Sequence, residues 1–205
     1  SNFGSTATTA TGTATGMKSI DGSAATGDLV IDITGVVEAA TGIAVKGGSG
    51  DDTITTGGED ATVTLGAGED TVIVSSNGVS TPASGSAATA TEATADLVTI
   101  TDAAFGDMID FSASSGLTVS GGVDEIDVSA ATTLLGALNI AANSGATTGA
   151  EVDWFAYGGN TYALFDAAAA SSGGITTGDI VIKFTGILEL DNSTLDAGGL
   201  FTLVQ

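Results

Sequence analysis

Cysteine and histidine are both absent from this chain. Their absence excludes Cys/His zinc centres, Ser-His-Asp and Cys-His catalysis, and disulfide staples. A secreted protein without cysteine must be stapled by other means, and calcium is the usual substitute. Arginine is absent too, so Lys18, Lys46 and Lys183 are the only basic side chains. No basic patch can form, which argues against nucleic acid as a partner and against anionic membrane surfaces. No apolar run reaches the ~18 residues of a membrane-spanning helix, so direct membrane insertion is not expected. Proline occurs once, at Pro82, which excludes collagen and Pro-rich linkers. Aromatics are only 5% of the chain, too few for a thick core of large side chains.

What is present is small and acidic. Gly, Ala and Thr fill nearly half of the 205 positions, enough chain for one or two domains. A hydrophobic content of 42% and a mean hydropathy of +0.39 argue against plain disorder. The 25 acidic residues against 3 basic ones give a net charge of −22. Most are Asp, the short carboxylate suited to tight turns and calcium sites. The acids form either a solvated surface or a set of groups neutralised by bound cations. Ser1-Asn2-Phe3-Gly4 has no basic n-region or apolar h-region, so no Sec-type signal is expected. With no initiator Met, the chain is expected to be a fragment or a processed product.

Residues 1–26 read as a leader or as the end of an upstream domain, with a Thr/Ala/Gly tract over 1–16. Leu29, Ile31 and Ile33 alternate as in a strand. Val36, Val45, Ile54, Val63 and Val72 then stand nine residues apart, with Gly and Asp between them. One aliphatic per nine-residue unit is a solenoid pattern, because no unit can bury its apolar side chain alone. Residues 27–75 are therefore expected to form a β-roll. Residues 76–95 read as a linker or surface loop, and 96–205 as a β-rich C-terminal domain.

In that domain, strands are expected at 96–101, 107–111 and 179–185, with shorter candidates at 117–119 and 126–128. Ser129 to Asn143 is the expected helix, capped by Ser129 and ended by Gly145. Trp154 to Phe165 reads as a hairpin turning at Gly158-Gly159. Residues 177–189 echo 26–38 nearly position for position, either through strand–turn composition or through recurrence of one unit. The expected fold class is all-β: a short parallel β-roll, then a β-rich lobe with one short helix.

Residues 47–55, Gly-Gly-Ser-Gly-Asp-Asp-Thr-Ile-Thr, fit the nonapeptide Gly-Gly-x-Gly-x-Asp-x-(aliphatic)-x throughout. Residues 65–73 fit it except at Leu65, and 56–64 keep the aliphatic while the carboxylate slips to Asp60. Glycines let the backbone turn its carbonyls inward. Calcium takes about six to eight oxygens, which carbonyls and Asp supply. Two units make one coil, so residues about 18 apart stack on one edge. Asp52 and Asp70 are then expected to bracket one calcium ion, helped by carbonyls near Gly48, Gly50, Gly66 and Gly68. Asp60, alone on the opposite edge, is expected to make a weak site or none. Asp102, Asp107 and Asp110 are either solvated turn carboxylates or a further calcium site. Asp124, outside the nonapeptide phase, is expected to matter much less to calcium. The adjacent acid pairs Asp124-Glu125 and Asp51-Asp52 have no aromatic-lined cleft assigned to them, so no enzymatic activity is expected.

The nonapeptides resemble those of RTX proteins, calcium-binding repeat proteins exported by type I secretion. Three further elements follow in order: residues 98–110, Trp-Phe-Ala-Tyr-Gly-Gly-Asn-Thr-Tyr at 154–162, and Asp-Ile-Val-Ile-Lys-Phe-Thr-Gly at 179–186. That order resembles the C-terminal region of RTX-type bacterial surface-layer proteins of the Caulobacter kind, over roughly 45–205. With two good nonapeptides, the array is shorter than is usual in that family. The resemblance implies a secreted structural protein at the cell surface, whose partners are copies of itself in a two-dimensional lattice and the type I secretion machinery. It also implies that the C-terminal domain carries the secretion signal. An adhesin or another extracellular RTX protein with the same tail is the alternative. High acidity suits this role, since like charges keep the chain open until calcium neutralises them.

Overall fold

In the computed structural model, the described residues are 6–9, 14–37, 42–57, 60–74, 97–113, 119–144, 150–166, 174–175 and 179–204. The interval 76–95 thus lies outside them, as does the strand candidate at 117–119 except for Val119. The first nine strands are β1 (Thr6–Thr9), β2 (Ala14–Thr15), β3 (Ser19–Asp21), β4 (Leu29–Asp32), β5 (Val36–Val37), β6 (Ile43–Lys46), β7 (Thr53–Thr56), β8 (Ala61–Thr64) and β9 (Thr71–Val74). After them come β10 (Val98–Ile100), β11 (Met108–Asp110), β12 (Val119–Glu125), α1 (Leu134–Ala142), β13 (Ala150–Tyr157), β14 (Asn160–Asp166), β15 (Ile180–Phe184), β16 (Thr194–Leu195) and β17 (Leu200–Thr202). Among the described residues the fold is mostly β with one short helix, in line with the expected all-β class.

The strands fall into two large sheets and a small one. Sheet 1 runs β1-β4-β7-β9-β11-β17-β16, sheet 2 runs β12-β13-β14-β15-β10-β8-β6-β3, and β2 pairs with β5. From β3 to β11 the chain alternates between the two large sheets, apart from the detour through β5. Each return pairs in parallel with the strand last laid down: β4 to β7, β7 to β9, β9 to β11, and β6 to β8, β8 to β10. The result is a two-sheet coil. Its step is 18 residues where Thr53 meets Thr71 and where Ile43 meets Ala61.

The nine-residue phase has a direct physical basis. Val45 and Val63 lie on sheet 2, Ile54 and Val72 on sheet 1, and all four are fully buried in one core between the sheets. Each such side chain contributes roughly 1.5–3 kcal/mol by leaving water. Val36 departs from the phase: it is buried, but in β5, outside the two large sheets.

The coil continues past the long interval. Met108 pairs with Thr71 and Val98 with Ala61, each a step of 37 residues. The same core therefore holds Ile100 and Ile109 beside Val63 and Val72. Phe111, after β11, stacks on Phe165 of sheet 2 with ring centroids 4.6 Å apart. Antiparallel strands end the coil. β17 pairs with β11 in sheet 1, and β14 pairs with β15 in sheet 2.

The hairpin forms as expected. Tyr157 pairs with Asn160, and Gly158 and Gly159 both have positive φ, at 59° and 82°. Two such residues make the tight turn whose twist matches that of the flanking strands. The helix is shorter than the span from Ser129 to Asn143. Thr133, not Ser129, is its N-cap, and its side chain accepts from the Gly136 N–H. Ahead of it, the Asp127 carboxylate accepts the Ser129 N–H and the Val128 carbonyl the Ala131 N–H, which holds that stretch in a turn. The candidate at 126–128 is likewise not a strand, because β12 ends at Glu125. The two echoing segments place β4 in sheet 1 and β15 in sheet 2.

Sheet 2 is covered on both faces around the hairpin. Val152, Trp154, Ala163 and Phe165 face the coil core. Phe155, Tyr162, Leu164 and Val181 face Ala137, Leu138 and Ala141 of α1.

Candidate metal centres

The nonapeptide turns stack on one edge of the coil, at the entrance to sheet 1. Asp52, Asp70 and Asp107 each sit immediately before a strand of that sheet, one coil apart. All three are buried, 1–2% exposed. They form a ladder. The Leu29 N–H donates to the Asp52 carboxylate at 2.8 Å, the Asp52 N–H to Asp70 at 2.7 Å, and the Asp70 N–H to Asp107 at 3.1 Å. The second oxygens of two of them hold their own turns: Asp52 accepts from Gly48 N–H at 2.6 Å and Asp107 from Ala104 N–H at 2.8 Å. An outer row runs beside it. Asp51 N–H donates to Asp28 at 3.0 Å and Glu69 N–H to Asp51 at 2.9 Å.

Glycine is required where these turns touch. Gly66 has φ +109°, and a Cβ there would collide with the Gly48 carbonyl oxygen. Gly68, at φ +141°, stands in the same relation to the Gly50 carbonyl. The four expected glycines are thus brought together in pairs, and the Gly48 carbonyl accepts the Ala67 N–H at 3.1 Å.

Electrostatics along this edge are strained toward neutrality. Burial pushes Asp70 up to about 6, and Asp107, Asp52 and Asp102 add like-charge repulsion, against a lowering hydrogen bond from the Asp52 N–H. Burial also raises Asp107. Asp102 serves the neighbouring turn, accepting from Leu65 N–H at 2.8 Å and Gly66 N–H at 3.0 Å. Asp110 is a turn cap, accepting from Ser112 N–H. On the opposite edge, Asp60 accepts the Leu97 N–H at 2.9 Å.

A second acidic group lies on the α1 face of sheet 2, and its partners are far apart in sequence. Asp124 of β12 pairs directly with Asp153 of β13. Glu151, two residues before Asp153, shares its face and pairs with Asp166 of β14. Carboxylate oxygens of Asp124, Glu151 and Asp153 lie within 4.8 Å of one another, an arrangement that could hold a metal ion. Asp153 is fully buried, and neither of its oxygens has a hydrogen-bond partner. Burial pushes it up to about 8, and Glu151, Asp124 and Asp166 raise it further.

This group was not anticipated. Asp124 is exposed, and the parallel pairing of β12 with β13 sets it against the buried Asp153. The available signal was two acids, Glu151 and Asp153, at strand spacing in β13 among apolar neighbours. Glu125, the neighbour of Asp124, lines a groove of about 540 Å³ together with Asp127 and Tyr157. Asp127 is held below the usual carboxylate range by its bonds to Ser129, as befits a turn cap.

No protein-family model matches this sequence, and no curated protein matches it significantly.

Proposed function

We propose that this chain is a calcium-dependent structural protein of the RTX type, secreted and assembling with its own copies in a surface layer. The observation that carries the reading is the register of Asp52, Asp70 and Asp107 on successive turns, the first two of them backed by glycine. Three buried carboxylates of like sign stand one above another, beside carbonyl-rich turns. Such a stack is costly with anions alone and favourable with a hard divalent cation that takes oxygen ligands. Calcium binding would then be folding energy, because the unfolded chain has no preformed site. The surface-layer role, the export route and the extracellular location are supported by the sequence resemblance. Catalysis forms no part of the reading.

The test uses the purified chain stripped with chelator, then given millimolar calcium. Circular dichroism should report a gain of β-structure, and electron microscopy should show ordered sheets. A folded chain that stays monomeric in calcium and binds a cell surface or glycan would favour an adhesin. A spectrum indifferent to calcium would rule out the calcium-dependent reading.

A further inference from the structure

We propose that Asp124, Glu151 and Asp153 form a separate site for a hard divalent cation, of the calcium class, which ties β12 to the β13–β14 hairpin. The site lies on the α1 face of sheet 2, away from the nonapeptide turns, and does not depend on how those turns are read.

Two observations carry it. The first is convergence: three carboxylates from two parallel strands bring oxygens within 4.8 Å of one another. A cation with bonds of about 2.4 Å has a coordination sphere about that wide. The second is Asp153 itself. It is 0% exposed, both its oxygens lack a hydrogen-bond partner, and one of them lies within 4.8 Å of the Asp124 and Glu151 oxygens. Buried carboxylates are normally paired or metal-bound, since an unpartnered charge is expensive to bury. The charges acting on Asp153 are all negative. The missing partner is therefore a cation.

The donor set selects its class. All the ligands are carboxylate oxygens, and the chain has no Cys or His, which suits calcium or magnesium rather than softer metals. Asp124 is exposed, so water can complete the sphere from that side. Calcium tolerates such irregular, partly hydrated geometry better than magnesium does. The site also has a structural task. Among the described residues β12 is the end strand of sheet 2, paired with β13, and their register shifts between Val119 and Val123. An ion shared by Asp124 and Asp153 clamps that edge strand where regular pairing resumes.

The experiment is calorimetric titration of the full chain with calcium chloride and, separately, magnesium chloride, alongside melting curves in chelator and in calcium. Wild type, Asp153→Asn, Asp124→Asn and Asp70→Asn are compared. Asp153→Asn and Asp124→Asn should each lose one equivalent of bound calcium. Asp153→Asn should also melt higher than wild type in chelator and lower in calcium, a crossing that a purely structural aspartate would not give. Asp124 is exposed, so Asp124→Asn decides the matter if Asp153→Asn does not fold. Asp70→Asn must leave this equivalent in place, which separates the site from the nonapeptide turns. Unchanged calcium stoichiometry and affinity in Asp124→Asn, or a wild type that binds no calcium, would overturn the proposal.

Discussion

The backbone N–H of Asp52 donates to the carboxylate of Asp70 at 2.7 Å, one full coil away. The same pair of coils is joined in the other direction, with the Asp52 carbonyl accepting from Thr71 N–H at 2.8 Å. The aspartate thus marks the point where each turn becomes a strand. It fixes the register of the next coil through a side chain as well as through the sheet ladder. A carboxylate at this position offers two acceptor oxygens, and Asp52 and Asp107 each use both for backbone N–H groups.

Asp70→Asn keeps the shape and one acceptor but removes the charge. Under the calcium reading it should raise the calcium needed for half-maximal folding severalfold. Circular dichroism against free calcium measures this. An unaltered midpoint would show that Asp70 plays no part in calcium binding.

The coil core makes a prediction free of any metal. Ile54 and Val72 are paired and fully buried. Ile54→Ala should cost about 2–5 kcal/mol, through lost transfer energy plus the cavity left behind. Urea denaturation at fixed calcium measures it. Val30, 44% exposed on the outer face of β4, should tolerate Ala within about 0.5 kcal/mol.

At Gly66 the turn geometry and the close coil contact act together. Gly66→Ala should be among the most damaging single changes, because it meets both a positive φ and the Gly48 carbonyl. Gly122→Ala is the comparison, since a Cβ there meets nothing within 4 Å. Melting temperatures of the two variants in calcium should differ clearly, with Gly66→Ala far lower.

Much of this was readable from the chain, and the reasons differ by element. The alternation of Val45, Ile54, Val63 and Val72 was legible because one large aliphatic per nine residues admits few other packings. The Gly158-Gly159 hairpin was legible from its turn chemistry. The continuation of the coil through Asp107 was harder to see. Residues 102–110 lack the glycines of the nonapeptide and keep only the Asp and the aliphatic, Ile109. Asp102 to Asp110 nonetheless fall in register with Leu65 to Ile73. The Asp124 group was illegible for another reason. It depends on β12 pairing in parallel with β13 across the helix between them, a long-range contact with no local sequence mark.

The raised carboxyls give a pH dependence for the protein in chelator. Asp70 is raised from an ordinary value near 3.8 to about 6 and Asp153 to about 8. A group raised in the folded state contributes stability that is complete below its unfolded value. That stability is lost as pH climbs through the folded value. Stability should therefore fall from about pH 4 to about pH 8, with Asp153→Asn removing the upper part of the fall. Urea midpoints at intervals across that range would show it. A profile that rises toward neutral pH would contradict the assignment of buried, uncompensated acids.

Calcium-coupled folding is tested most directly by titrating calcium into the chelator-treated chain while following circular dichroism and bound calcium together. The expected result is a cooperative gain of β-structure that rises with calcium occupancy and reverses on adding chelator. A chain that holds the same β-structure in chelator as in millimolar calcium, or that binds no calcium, would contradict it.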